Sequence, residues 1–446
     1  MAGVLRDGDN VLPIQKHNAS ARFFQSEATG GIVLLLCAIA AVAWANSPWS
    51  KSYFEFLRAR IGFSWNNSTF GLSWGDWIND GLMALFFFVV GLVIKREILV
   101  GQLSTMKKAL LPVAAALGGM VAPALIYAAL NSRGEGARGW GIPMATDIAF
   151  ALTILALLGP RVPVGLKVFL TALAIADDLG AVLVISLVYT DRLRAGPLIA
   201  AGVLLALLLL AARRNVTSVP VYAVLVFGVW LSVLVSGIHA TVAGILVAMV
   251  VPVRGRILPN RFFAIARESL AELEATNLTG EVTTLNSEQI EALEELHQAT
   301  SDVAPAGTAF ERYFHPVTAF AILPLFALFN AGIVFDHKIV TALLHPVGFG
   351  VVLGLVLGKT TGIMAASWLV IRLGLTDMPD GVTWRQILGS AILAGIGFTG
   401  AFFVTDLAMQ DEQLRGFARV GILAASILCA AAGYCILRHG AKNRCA

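Results

Sequence analysis

"TALAIADDLGAVLVI", residues 171 to 185, sets Asp177 and Asp178 side by side in the middle of an apolar run. The block that begins near residue 164 has the roughly 17 to 25 residues that cross a hydrocarbon core about 30 Å thick as a helix. An ionised carboxylate at mid-membrane costs about 2.5 to 3.5 kcal/mol on insertion scales, so such a group faces a cavity or a partner and marks a pathway. The doublet therefore raises two questions at once: whether the chain lies in lipid, and what the two acids hold.

The composition answers the first. Of 446 residues 57% are hydrophobic and 13% charged, against about 25% charged in an average soluble domain, and the mean hydropathy is +0.79. Apolar blocks between charged or Gly/Pro/Asn punctuation give twelve spans, beginning near residues 30, 80, 109, 140, 164, 197, 220, 238, 317, 345, 387 and 418. The fold class is an all-α integral membrane protein of about twelve transmembrane helices. The net charge of +4 is spread through the loops with no basic tract, which excludes a nucleic-acid partner. Cys37, Cys429, Cys435 and Cys445 form neither a CxxC pair nor a disulfide framework and read as packing residues. No cofactor is implied.

Counting Lys and Arg in the short connections with the N-terminus inside gives 16 on the inner side and 10 on the outer, which predicts cytoplasmic termini. Ala43-Trp44-Ala45 resembles a signal-peptide cleavage site, although an uncleaved first span is the favoured reading. The expected organisation is a cytoplasmic tail over 1–28, helices I to VIII over 29–253, an acidic cytoplasmic insertion over 254–314, helices IX to XII over 315–437 and a tail over 438–446. Leu270, Leu273, Ile290, Leu293 and Leu296 have helical spacing, so the insertion should hold short amphipathic helices. Residues 59–74, "ARIGFSWNNSTFGLSW", read either as an outer-side β-hairpin, whose edge could pair with a second subunit, or as an ordinary loop.

The other charges in spans are Asp147 and Lys359, with Asp80 and Asp406 nearer span ends. One such Asp could be a structural hydrogen bond, but three carboxylates and a lysine together point to an ion pathway. Neighbours on a helix point about 100° apart, so Asp177 and Asp178 have separate jobs. One could neutralise Lys359 while the other binds a cation or a proton. Asp147 sits in "GWGIPMATDIAFALTILALL", where Gly141, Pro143 and Thr146-Asp147 interrupt the span, and "LAGIGFTGAFFVTD" (393–406) is interrupted likewise. Paired broken helices at corresponding positions point to a secondary transporter built from inverted-topology repeats. Asp147 is placed to offset the positive helix ends such breaks expose, or equally to cap its own helix.

"INDGLMALFFFVVGLVIKRE", "ATDIAFAL", "LTALAIADDLGA", "SGIHATVAG", "ILPLFALFNAG" and "GIGFT" stand in this order, and through them residues 22–437 closely resemble the NhaA family of bacterial Na+/H+ antiporters. Antiporters of this family are themselves among the proteins on which the paired-break rule rests. The resemblance implies an inner-membrane homodimer of twelve-helix subunits in the lipid bilayer, with two unwound helices crossing at mid-membrane, exchanging Na+ or Li+ for protons. It makes Asp178 the main cation- and proton-binding carboxylate and Asp177 its partner, so the two are the expected Na+ ligands, with Asp177 linked to Lys359. Thr146 and Asp147 match the unwound segment, and Asp147 and Lys359 the charge compensators. Glu97, Glu311 and His315 match a cytoplasmic pH-sensing cluster, and His239 another residue tied to activation at alkaline pH.

Three departures stand out: Val93, where relatives often carry a second acid; the long insertion before Glu311; and Asp406, where a neutral residue is more usual. The mechanism expected is competition between Na+ and protons for one site reached alternately from each side, electrogenic if more than one proton crosses per Na+. A sodium-coupled solute symporter would need a polar substrate cavity for which no residue set stands out. An intramembrane aspartyl protease would need a G-x-G-D motif, which the chain lacks, and no span carries the continuous polar stripe of a channel. The chain is not expected to be an enzyme.

Overall fold

The computed structural model describes residues 19–65, 68–101, 103–190, 193–214, 216, 218–253, 257–275, 286–303, 306–335 and 338–442. In lipid the backbone must satisfy its hydrogen bonds internally, as helices or closed barrels do, and continuous apolar runs of this length fit helices; the described chain is helical almost throughout. In order come α1 (Ala19–Ala45), α2 (Ser50–Arg58), strands β1 (Arg60–Trp65) and β2 (Ser68–Ser73), α3 (Trp74–Asp76), α4 (Met83–Leu99), α5 (Met106–Leu130), α6 (Ile148–Leu158), α7 (Val164–Val188), α8 (Ala195–Arg213), α9 (Val219–Ser236) and α10 (Thr241–Val250). There follow α11 (Pro259–Ala275), α12 (Ser287–Val303), α13 (Ala306–Val317), α14 (Leu323–Asn330), α15 (Lys338–Leu344), α16 (Pro346–Leu353), α17 (Lys359–Arg372), α18 (Trp384–Leu393), α19 (Phe398–Ala408) and α20 (Glu412–Lys442).

Among the described residues, seven helical segments are long and apolar enough to cross a membrane, up to nine if each of two bent pairs is one span, and α4, α9 and α10 add shorter apolar helices. Every one of the twelve apolar blocks is therefore helical. Short connections tie neighbouring ends on two faces. On one, Asn46 Nδ2 donates to Ile333 O (2.7 Å) and Asn131 Nδ2 to Pro346 O (2.9 Å); on the other, Thr376 Oγ1 donates to Lys107 O (3.3 Å) and Gly307 N to Pro252 O (2.9 Å). β1 and β2 pair antiparallel, Arg60 opposite Ser73 and Phe63 opposite Phe70, on the first of these faces, called here the hairpin face.

Glycines set the closest packing. A Cβ on Gly118 of α5 would lie 2.2 Å from Gly362 O of α17, and one on Gly244 of α10 2.1 Å from Ala84 O of α4. Such small-residue contacts let backbones approach where lipid offers no hydrophobic gain for larger ones. α5 and the span formed by α16 and α17 each open a triplet of spans whose middle member is broken, the first running over 106–188 and the second over 346–442.

Two boundaries differ from the sequence reading. α1 begins at Ala19, inside the expected 1–28 tail. The ninth span begins near Gly307 rather than 317, because Phe310 and Phe314 pack edge-on against Phe88 of α4 and carry the helix past the charges that had marked its start. The insertion holds α11 and α12, which pack on each other with Leu273, Ala292 and Ala299 buried.

Candidate functional site

The site forms where two interrupted spans meet. In the first, a 3-10 stretch over Glu135–Met144 ends, the backbone runs without helix through Ala145, Thr146 and Asp147, and α6 starts afresh at Ile148. In the second, α18 stops at Leu393 and α19 restarts at Phe398, bent by 46°. The segments touch through backbone: Asp147 N donates to Ile396 O (2.6 Å), and a Cβ on Gly397 would lie 3.3 Å from Ala145 O. Gly in the second break makes this crossing possible.

Asp147, only 3% exposed, serves both breaks. Its Oδ1 accepts from Phe150 N (3.2 Å) and so caps α6. Its Oδ2 accepts from Thr399 N (3.0 Å) and Thr399 Oγ1 (2.6 Å), in the first turn of α19. One carboxylate thus faces two helix N-termini, each equivalent to about half a positive charge. The opposite ends are met by Thr146 and Lys359. Thr146 Oγ1 donates to Ala394 O (2.9 Å), a carbonyl that the end of α18 leaves unpaired, and accepts from Lys359 Nζ (2.5 Å).

Lys359 is wholly buried and its Nζ also donates to Asp177 Oδ2 (2.6 Å), itself 1% exposed. The two acids of the doublet then differ sharply. Asp177 is committed to the lysine, with Oδ1 accepting nothing. Asp178, one residue on and rotated about 100°, is partly exposed and, among the described residues, accepts no hydrogen bond. A fixed ion pair beside a carboxylate that accepts no hydrogen bond offers oxygen ligands and a proton acceptor in one place, with a cation already neutralising half of the charge.

The family model for Na+/H+ antiporter 1 matches residues 21–437. The chain belongs to the NhaA family of Na+/H+ antiporters. Among its relatives, the Na+/H+ antiporter NhaA of Acidithiobacillus ferrooxidans is 46% identical over 92% of this chain and 95% of its own length. NhaA 2 of Syntrophotalea carbinolica is 43% identical over 95% and 96%, and NhaA of Oleidesulfovibrio alaskensis 43% over 95% and 94%. NhaA proteins are transporters, so the protease reading is not favoured.

In this NhaA chain the residues matched to pH response divide between the two faces. Away from the hairpin, Arg96 joins two of them: Nη1 donates to Glu311 Oε1 (2.6 Å) and Nη2 to Glu97 Oε1 (3.2 Å). His315 follows Glu311 by one turn of α13. His239 lies at the hairpin face instead, its Nε2 donating to Tyr189 O (2.9 Å). Sequence reasoning counted Arg96 only as a loop charge and Thr399 only as a mark of a break. The spacing Arg96-Glu97 gave no sign of a partner 215 residues away.

Proposed function

We propose that this chain is a Na+/H+ antiporter that extrudes Na+, and Li+ by the same chemistry, in exchange for protons by alternating access to Asp177 and Asp178. The observation carrying the reading is the unlike state of the doublet: Asp177 bound to Lys359, Asp178 half-buried and accepting no hydrogen bond among the described residues, beside crossed helix breaks whose ends Asp147, Thr146 and Lys359 balance. Asp178 holds either a proton or the metal ion. Na+ arriving at Asp178 also draws on Asp177 Oδ1, weakens the hold of Asp177 on Lys359, and leaves no place for the proton. Occupancy by one therefore expels the other, which couples the two flows. Each net charge moved gains about 2.3 kcal/mol per 100 mV, so more than one proton per Na+ would let membrane potential drive extrusion.

The same reading places the protein in a bacterial inner membrane with the hairpin face outward and both termini cytoplasmic. It pairs the β-hairpin edges of two subunits in a homodimer. The Arg96-centred group of Glu97, Glu311 and His315 then faces the cytoplasm, where it and His239 would adjust activity to pH.

The test is Na+-induced dequenching of a ΔpH dye in everted vesicles across pH 6.5 to 9. Asp178→Asn is expected to abolish the signal while inserting and purifying as the wild type does. Sustained Na+-dependent proton movement in that variant removes Asp178 from the centre of the mechanism.

A further inference from the structure

Asp406 lies on α19, the half-helix whose first turn is held by Asp147, and the exchange site makes no use of it. Its carboxylate is the middle of a polar chain. Oδ1 accepts from Arg419 Nη2 of α20 (2.7 Å), with Arg415 Nε 3.7 Å away. Oδ2 accepts from Asn79 Nδ2 (3.3 Å), and Asn79 Oδ1 in turn accepts from Asn330 Nδ2 at the end of α14 (3.0 Å). Asn79 sits in the π-helical turn Trp77–Leu82 that leads into α4. A π turn carries one residue more than an α turn and leaves a backbone that can be re-wound, a feature common at functional sites. Asp406 thereby ties α19 to α20 and to the π turn, and Asn79 extends the chain to α14.

This chain of contacts lines a cavity of about 750 Å³ at the hairpin face, to which Asp76, Asp80 and Phe403 also contribute. Neither Asp177 nor Asp178 is among its lining residues, so the cavity stops short of the doublet. Phe403, 2% exposed, is on α19 one turn before Asp406 and meets Phe87 of α4 with ring centroids 5.9 Å apart. Extending the cavity inward requires α19 to part from α4, and the Asp406–Asn79 bond spans that same seam.

We propose that Asp406 is a positioning residue that latches α19 to the π turn and to α20, holding the hairpin face closed and so setting how much of the protein can take up Na+ from the opposite face. The inference rests on the alternating-access reading above. A latch that favours the closed state raises the fraction competent to bind from the other side, and the apparent dissociation constant scales inversely with that fraction.

The experiment measures initial rates of Na+-driven proton movement against Na+ concentration, with Na+ added to the face opposite the hairpin, for the wild type and for Asp406→Asn, Arg419→Gln, Asn79→Ala and Asp406→Glu. Asp406→Asn and Arg419→Gln are expected to raise KM for Na+ threefold or more, with maximal rate held within about twofold. Asn79→Ala should produce a smaller rise, and Asp406→Glu should restore KM. KM unchanged in Asp406→Asn and Arg419→Gln, or a loss of maximal rate at constant KM, overturns the latch. If Asp406→Asn does not fold, the Asn79→Ala and Arg419→Gln pair decides by the same criteria. Failure of the antiport reading itself is separate, since the wild type would then show no Na+-driven proton movement.

Discussion

Lys359 brings a charged ammonium to a place with no solvent, where taking an ion out of water costs several kcal/mol and only close partners return it. Its two acceptors, Asp177 and Thr146, come from two other spans, so the lysine binds the triplets together as well as balancing charge. Removing one partner of a buried pair typically costs about 3 to 5 kcal/mol, whereas replacing both is often neutral. Lys359→Ala is therefore expected to lower the detergent melting temperature markedly, and Lys359→Met combined with Asp177→Asn to recover most of it without recovering exchange; equal melting of the single variant and the wild type counts against the pair. At this scale the sequence was informative about identity and poor about partnership. Charges buried in apolar runs are visible because they are expensive, and Asp147, Asp177, Asp178 and Lys359 stood out for that reason. Spacing alone left open which acid met the lysine, because that depends on helix rotation, and only the family resemblance pointed to Asp177; Thr399 was read as part of a break and not as a partner of Asp147, because a threonine in a span costs little.

Helices here meet at glycines wherever backbones approach closely. Gly118 and Gly362 place carbonyls where a Cβ would sit, and neither backbone can give way by rotating a side chain. Gly118→Ala and Gly362→Ala are expected to cost about 1 to 3 kcal/mol or more by overpacking. Gly202→Ala, in α8 with nothing within 4 Å of the added carbon, should be neutral or stabilising by roughly 0.5 to 1 kcal/mol. Comparative thermal melts of the three variants check this, and equal losses at all three positions would contradict it. Period and length sufficed to read the spans, but their ends were misplaced where aromatic packing outlasted polar sequence, as at Phe310 and Phe314 against Phe88. The π turns at Trp77–Leu82, Thr318–Ile322 and Gly354–Gly358 were not read from the sequence, because a π turn adds a single residue to a turn without interrupting the helix, and glycines such as the Gly81, Gly354 and Gly358 they contain also occur in unbroken helix.

Across the whole molecule, two packed groups share α4. One is the large core around the crossing, and the other, smaller group joins α8, α9 and α10 through Ala201, Leu208, Val229, Val233 and Ala243. Lys95 of α4 fastens the second group, donating to Met249 O (2.6 Å) and Val251 O (2.5 Å) where α10 runs out. Among the described residues, α11 and α12 of the acidic insertion contribute to neither. Gly307 N reaches Pro252 O at its root, so the chain leaves and returns at nearly one point. Replacing residues 257–303 by a short Gly-Ser linker is accordingly expected to leave folding and maximal exchange intact, as read by size-exclusion chromatography and dye dequenching. Aggregation of that variant would mean that α11 and α12 support the bundle.

That pinched root also makes the protein a natural host. Any soluble fold whose ends lie side by side could be grafted there in place of α11 and α12, between the ends of two membrane spans. A small membrane protein with little outside the bilayer would acquire a bulky, fixed landmark by which single particles could be aligned, with the exchange machinery left untouched.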